Sequence, residues 1–194
     1  MTRGTGRGLP REVRIIGGTW KRSKLPVGEV EGLRPTADRV RETLFNWLGQ
    51  DLSGWRCLDA FAGSGALGFE AASRGADAVV LVERDRHLAR ALGEVKARLS
   101  ADQVRVDNAD AIAWMARCAV DSFELVFLDP PFDTPLAEPA LDAAARLVVP
   151  DGYVYLEAPQ PLGPQAAEAR GLTIHRQARA GAVHFHLLRR TRPA

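Results

Sequence analysis

The chain has 194 residues, 46% of them hydrophobic, with 26 Lys/Arg against 24 Asp/Glu. That is enough for one domain with an appendage and a sizeable core, and no apolar run approaches the roughly 18 residues that a membrane span requires. Cys57 and Cys118 are too few for a disulfide framework, and no apolar signal core opens the sequence, so reduced thiols in a cytoplasm are the simple expectation.

The small net charge hides an uneven distribution. Residues 1–48 carry ten basic and five acidic side chains, residues 49–168 ten and nineteen, and residues 169–194 six and none. Basic ends around an acidic body fit a nucleic-acid footprint made by the termini; two solvated basic tails would give the same count.

Residues 1–12 are Gly/Arg-rich without periodicity and read as a flexible basic tail. Val13–Ile16 and Thr19–Leu25 read as two short strands around a turn at Gly17-Gly18. After a loop over 26–32, Thr36 is placed as an N-cap, and a helix to about Leu48 puts Val40, Leu44, Trp47 and Leu48 on one face, with Arg39 and Arg41 off it. Residues 13–48 therefore form a hairpin-and-helix extension, and residues 49–194 the main domain.

From residue 55 the pattern alternates. Strands are expected at 55–60, 78–83, 103–107, 123–128 and 153–157, with helices at about 66–74, 85–99, 110–117 and 136–147. Such alternation specifies an α/β domain with a parallel sheet covered on both faces. Two more strands, 171–177 and 182–189, are joined by a loop short enough to force them antiparallel. The sum is a seven-stranded Rossmann-like sheet with a terminal antiparallel hairpin, the arrangement associated with class I methyltransferases.

Between the first of those strands and its helix lies Gly63-Ser64-Gly65-Ala66-Leu67-Gly68, a G-x-G-x-x-G loop in the right context for a nucleoside-containing cofactor. Glu83 ends the next strand, where a carboxylate can accept both hydroxyls of a ribose; it could also be an ordinary strand-end acid. Nicotinamide cofactors share these features. Asp59, before the glycines and two residues ahead of Phe61, would repel a pyrophosphate but suits a ligand with an amino-acid or sulfonium cation, which favours S-adenosylmethionine. Asp110, followed by Ala111, is placed to accept from the adenine amine, to cap the next helix, or to do both.

The apolar run Phe123–Leu128 ends in Asp129-Pro130-Pro131-Phe132. Asp129 and the Pro130 carbonyl are acceptors only, so together they can take both protons of an NH2 group, while Phe132 offers a face to a ring. The same residues also make a proline-closed turn. His184 and His186 share one face of a strand; without a Cys or carboxylate nearby they make a poor metal site, and they are expected at the surface or facing RNA. No metal is expected.

Five segments, Arg14–Trp20, Leu33–Leu48, Phe61–Gly68, Val82-Glu83 and Asp129–Phe132, resemble in order those of the bacterial 16S rRNA guanine-N2 methyltransferases that modify the guanine at position 966. The Ile15-Ile16-Gly17-Gly18 and Arg34-Pro35-Thr36-Ala37-Asp38-Arg39-Val40-Arg41-Glu42 stretches are the discriminating ones. The resemblance implies S-adenosylmethionine as donor, S-adenosylhomocysteine as product, and 16S rRNA in a pre-assembled small-subunit particle as substrate. Asp129, Pro130, Pro131 and Phe132 would form the catalytic clamp, and Asp59, Phe61, Gly63, Gly65, Glu83, Asp110 and Ala111 the cofactor site. Arg14, Lys21, Arg22, Lys24, Arg34 and Arg39 could meet phosphates, and Trp20 could stack on a base or simply pack. A monomer is expected. An N-methyltransferase for adenine N6 or a protein amide is the alternative, and a nicotinamide-dependent oxidoreductase a more distant one.

Overall fold

A computed structural model describes residues 12–27 and 38–192. The expected tail apart from Glu12, which opens the first strand, the end of the following loop, Arg34 and the Thr36 cap lie outside those residues. Seven strands form one sheet in the order β5-β4-β3-β6-β7-β9-β8. They are β3 (Arg56–Asp59), β4 (Ala78–Glu83), β5 (Val104–Asn108), β6 (Phe123–Leu128), β7 (Val148–Ala158), β8 (Leu172–Ala180) and β9 (Val183–Arg190). The first five are parallel, and β9 is antiparallel to both β7 and β8.

Successive strand residues alternate between two cores, as a pleated sheet covered on both faces demands. Cys57, Leu125, Phe127, Tyr155 and Leu187 face one core; Leu58, Val126, Leu128, Leu156 and Leu188 face the other. The first is completed by α1 (Asp38–Leu48), α2 (Ala66–Ser73) and α3 (Arg86–Leu99), the second by α4 (Ala111–Ala116), α5 (Ala137–Leu147) and α6 (Pro164–Glu168). The elements expected from residue 55 onward are present within a few residues at each end, except that β7 begins five residues early, at Val148, and the short α6 is additional to them.

The extension departs from expectation. Strands β1 (Glu12–Arg14) and β2 (Lys24–Pro26) are three residues each, and Gly17-Gly18 is not their hairpin turn. The chain between them leaves the ladder and binds α2. The Ile16 and Gly17 amides donate to the two Glu70 carboxylate oxygens at 2.8 Å each. The Thr19 amide donates to the Ser73 carbonyl at 2.8 Å, and the Trp20 amide to Ser73 Oγ at 2.9 Å. Gly18 has φ +71°, and a Cβ there would lie 1.8 Å from the Ser73 carbonyl oxygen, so only glycine permits this approach.

Arg41, expected off the packed face of α1, is wholly buried. Its Nη1 reaches Glu70 at 3.4 Å and its Nη2 Asp38 at 2.6 Å. Arg74 joins the same carboxylate through Nε at 2.9 Å and lies 4.7 Å from the centre of the Phe45 ring. Every residue of α2 is buried, so Glu70 requires partners, and these two guanidinium groups and two amides supply them. Replacing Glu70 by Ala leaves two buried cations without their shared counter-charge. The expected loss is about 3–5 kcal/mol, read as a lower urea midpoint at unchanged denaturant slope.

Candidate active site

The strand order reverses at β3. The chain runs outward from β3 through β4 to β5, then returns to place β6 on the other side of β3. Ligands of open α/β sheets bind in the crevice at the carboxyl ends of the strands flanking such a reversal. The candidate residues gather at those ends.

Beyond β3 the chain turns through Phe61-Ala62-Gly63-Ser64-Gly65 into α2. Gly63 and Gly65 have φ +52° and +75°. A Cβ on Gly65 would come within 2.7 Å of both Leu92 and the Phe69 ring, so this glycine serves close packing as well as the turn. Glu83, half-buried at the end of β4, accepts the Gly63 amide on Oε2 at 2.9 Å and the Asp85 amide on Oε1 at 2.7 Å. It is thus oriented by the loop, and ionised carboxylate oxygens can each accept more than one hydrogen bond. Asn108 at the end of β5 donates to the Glu83 and Arg84 carbonyls at 2.8 and 2.9 Å, fixing the adjoining loop.

Asp59 lies beneath the loop, 2% exposed. Its Oδ2 accepts the Gly68 amide at 3.0 Å, bracing the first turn of α2. Burial pushes its carboxyl up to about 7, helped by the charges of Glu83 and Glu157 and opposed by the Gly68 and Phe61 amides. Asp110 caps α4, its Oδ1 accepting the Ala113 amide at 2.9 Å, and is exposed, so it fills the capping role read for it. Ala111 behind it is buried.

Asp129 follows directly on β6 and is partly exposed, Pro130 is buried, Pro131 exposed and Phe132 half-exposed. The Pro131 carbonyl accepts the Thr134 amide at 3.2 Å and the Thr134 hydroxyl at 2.7 Å. The turn is therefore closed by Pro131 and not by Pro130. On the neighbouring strand, buried Tyr155 donates its hydroxyl to Glu157 Oε1 at 2.8 Å. Burial first, then the charges of Glu157 and Asp129, hold that phenol well above its usual range. Neither residue is marked in the sequence by more than an acid near a strand end.

His186 corrects its expectation: it is buried, not at the surface. Its Nε2 accepts the Leu162 amide at 3.0 Å, and its Nδ1 faces the Leu156 carbonyl at 3.4 Å. Desolvation lowers its pKa, and a neutral ring protonated on Nδ1 satisfies both contacts. The half-buried His184 does not share that environment. Arg14, Lys21, Arg22, Lys24 and Arg39 are exposed; Lys24 pairs with Glu12 at 2.8 Å. Trp20 is partly buried against the core.

A hollow of about 540 Å³ lies away from the glycine loop, lined in part by Asp142, Arg146, Arg170 and Arg190. Its arginines already donate within the protein: Arg146 to the Cys118 and Met115 carbonyls, Arg170 to Asp142 and Glu138, Arg190 to Asp121 and the Val148 carbonyl. Among the described residues no cluster of three or more His, Cys, Asp or Glu could hold a metal ion.

A strand-order reversal under a glycine loop, a strand-end acid on the next strand, Asp-Pro-Pro-Phe after the fourth and a closing antiparallel hairpin define a class I S-adenosylmethionine-dependent methyltransferase fold. Comparison with known proteins narrows this. A family model described as "Conserved hypothetical protein 95" matches residues 13–189. Ribosomal RNA small subunit methyltransferase D of Escherichia coli K12 is 41% identical over 181 residues, 92% of this chain and 90% of that protein. Its Haemophilus influenzae counterpart is 45% identical over 151 residues, 75% and 78% of the two chains. The chain belongs to this ribosomal RNA small subunit methyltransferase D family.

Solved structures agree. yhhF of Escherichia coli superposes with a TM-score of 0.81 at 38% identity, covering 93% of this chain and 98% of that one. The Thermus thermophilus 16S rRNA N2 G1207 methyltransferase, in complex with AdoMet and guanosine, shares the fold at 22% identity with a TM-score of 0.72, covering 93% of this chain and half of that one.

The raised carboxyl of Asp59 has a measurable consequence. A group whose folded pKa exceeds its unfolded value stabilises the protein fully below the unfolded value, here 3.8, and that contribution is lost as pH rises through about 7. One linked proton gives a slope of about 1.4 kcal/mol per pH unit. Asp59→Asn keeps an acceptor for the Gly68 amide and cannot titrate. Its unfolding free energy should lack this component across the interval, and identical pH slopes for the two proteins would show that Asp59 is ionised throughout.

Proposed function

We propose that the protein methylates the exocyclic N2 amine of a guanine in 16S rRNA, at the site of the position-966 type, on assembled small-subunit particles. The observation that carries the reading is the placing of Asp129-Pro130 at the end of β6, across the strand-order reversal from the glycine loop and Glu83. Membership of a family whose curated members are named for small-subunit rRNA supports the substrate.

The loop and Glu83 fit S-adenosylmethionine. Gly63 and Gly65 allow a close backbone approach, and Glu83 presents oriented acceptors for ribose hydroxyls. Phe61, Asp110 and Ala111 would border the nucleoside, and Asp59 would act through the loop it braces. When bound, the cofactor supplies a methyl group already electrophilic on its sulfonium.

The remaining difficulty lies with the acceptor, because a guanine N2 lone pair is delocalised into the ring. Asp129 and the Pro130 carbonyl would each accept one N–H, turn the nitrogen lone pair out of conjugation and aim it at the methyl carbon. The carboxylate would also stabilise the positive charge that develops on nitrogen as the new N–C bond forms. Water can then take the ammonium proton. The base must leave its stack to arrive here, and Phe132 offers the face that would hold it. Arg14, Lys21, Arg22, Lys24, Arg39 and, outside the described residues, Arg34 would contact RNA phosphates from the extension, which would act as an RNA-facing lid; Trp20 contributes packing. No helix among the described residues is long and apolar enough to cross a membrane, and a ribosomal substrate places the work in the cytoplasm; a monomer suffices for it.

The test is transfer of labelled methyl to small subunits lacking the modification, followed by nucleoside analysis, with N2-methylguanosine as the expected product. Asp129→Ala should lower kcat by about 100- to 1000-fold with S-adenosylhomocysteine affinity unchanged. Glu83→Gln should do the reverse, weakening S-adenosylhomocysteine by roughly tenfold while sparing kcat at saturation.

A further inference from the structure

An amine clamp does not by itself choose guanine. Adenine and cytosine also carry an exocyclic NH2, and two acceptors would hold it equally well. Selection requires a group that reads a neighbouring atom of the same edge. We propose that Glu157 is that group, accepting the N1–H of the guanine whose N2 amine is held by Asp129; this role rests on the proposed guanine-N2 methylation.

The sheet register supports this placement. Phe127 pairs with Tyr155 and Leu128 with Leu156 on the parallel strands β6 and β7, so the next row brings Asp129 beside Glu157. Adjacent strands lie about 4.8 Å apart, and alternate residues share a face. Phe127 and Tyr155 face the α1 side, hence Asp129 and Glu157 emerge on that side together. The charges of both bear on the Tyr155 hydroxyl, and that of Glu157 also reaches Asp59 under the glycine loop.

Glu157 is built in rather than draped over the surface. It is 5% exposed, and Tyr155, wholly buried, pins its Oε1 at 2.8 Å. On its other flank it pairs with Phe185, whose ring stacks on Trp47 of α1 at 5.3 Å and 25°. A flat apolar wall thus stands on the β9 side of Glu157, opposite the β6 side on which Asp129 lies. A carboxylate held rigidly in such surroundings discriminates more strongly than one in water.

The chemistry then selects one base. Ionised carboxylates only accept. Guanine presents three protons on adjacent atoms, one on N1 and two on N2, which match Glu157, Asp129 and the Pro130 carbonyl. Adenine presents a lone pair at N1, which a carboxylate opposes. A buried acceptor facing an acceptor is penalised far more than a merely missing contact.

The experiment compares small subunits reconstituted with guanine or with 2-aminopurine at the target position. 2-Aminopurine keeps the N2 amine but carries a lone pair at N1. Wild-type protein should prefer guanine in kcat/KM, and Glu157→Gln, whose amide can donate to N1, should reduce that preference at least about tenfold. The ratio is internal to each enzyme, so partial loss of folded protein cancels. S-adenosylhomocysteine affinity and Tm report whether the variant is folded. If it is not, Tyr155→Phe, which keeps the carboxylate and removes the hydroxyl that orients its Oε1, should lower the same ratio. No methylation of guanine by wild type would overturn the proposed function itself. Guanine methylation with no preference over 2-aminopurine, or an unchanged preference in the folded variants, would overturn the role of Glu157 alone.

Discussion

The carboxylate of Glu70 is the contact on which the rest of the architecture leans. It receives two backbone amides from the N-terminal loop and guanidinium groups from α1 and from the residue that ends α2. Burying three charges is costly unless each is paired and hydrogen-bonded, and here the pairing is also part of the docking: alongside the Ser73 contacts and the shared apolar core, the extension is tied to the domain by what it offers this one acid. Toward the start of the same helix, Asp59 holds the Gly68 amide from below. Helix α2, which carries the glycine loop at its start, therefore links that loop to the extension: Asp59 braces its first turn, and its own Glu70 receives the N-terminal segment.

A parallel sheet suits a site assembled from several strands. Its strands co-terminate, so side chains from β3, β4, β6 and β7 meet without any long loop: Asp59, Glu83, Asp129 and Glu157 all stand at carboxyl ends. Four acids so close repel one another, and the protein answers with local hydrogen bonds. Amides hold Asp59 and Glu83, and a phenol holds Glu157. A cluster of carboxylates of this kind would favour the cationic and proton-donating groups of the proposed sulfonium donor and amino-purine edge.

The domain from residue 55 onward was legible because its signals are local. Alternation within β6 and β7, the glycines between strand and helix, and Asp-Pro-Pro-Phe each occupy a few consecutive residues. What escaped depends on partners far along the chain. Arg41 lies three, four and seven residues before Leu44, Phe45 and Leu48, on the buried face of α1; what periodicity does not reveal is the counter-charge of Glu70, 29 residues later, that lets a cation be buried there. Gly17-Gly18 looks like a hairpin turn until α2 is known to offer acceptors in reach. His186 differs from His184 only in which neighbour, Leu162, comes back to meet it. Glu157 is an acid in a strand like several others, and only the register beside Asp129 sets it apart.

The stacking of Trp47 on Phe185 joins α1 to β9 across most of the polypeptide. During synthesis, α1 leaves the ribosome long before α2 can offer Glu70, and longer still before β9 appears. Its apolar stripe of Val40, Leu44, Phe45 and Leu48 must wait uncovered, a state in which nascent chains are prone to stray association. A product interrupted before β9 would keep the half that carries the glycine loop while leaving β7 as a bare sheet margin and the indole without its companion. For such a fragment, insolubility rather than simple inactivity is the outcome the architecture entails.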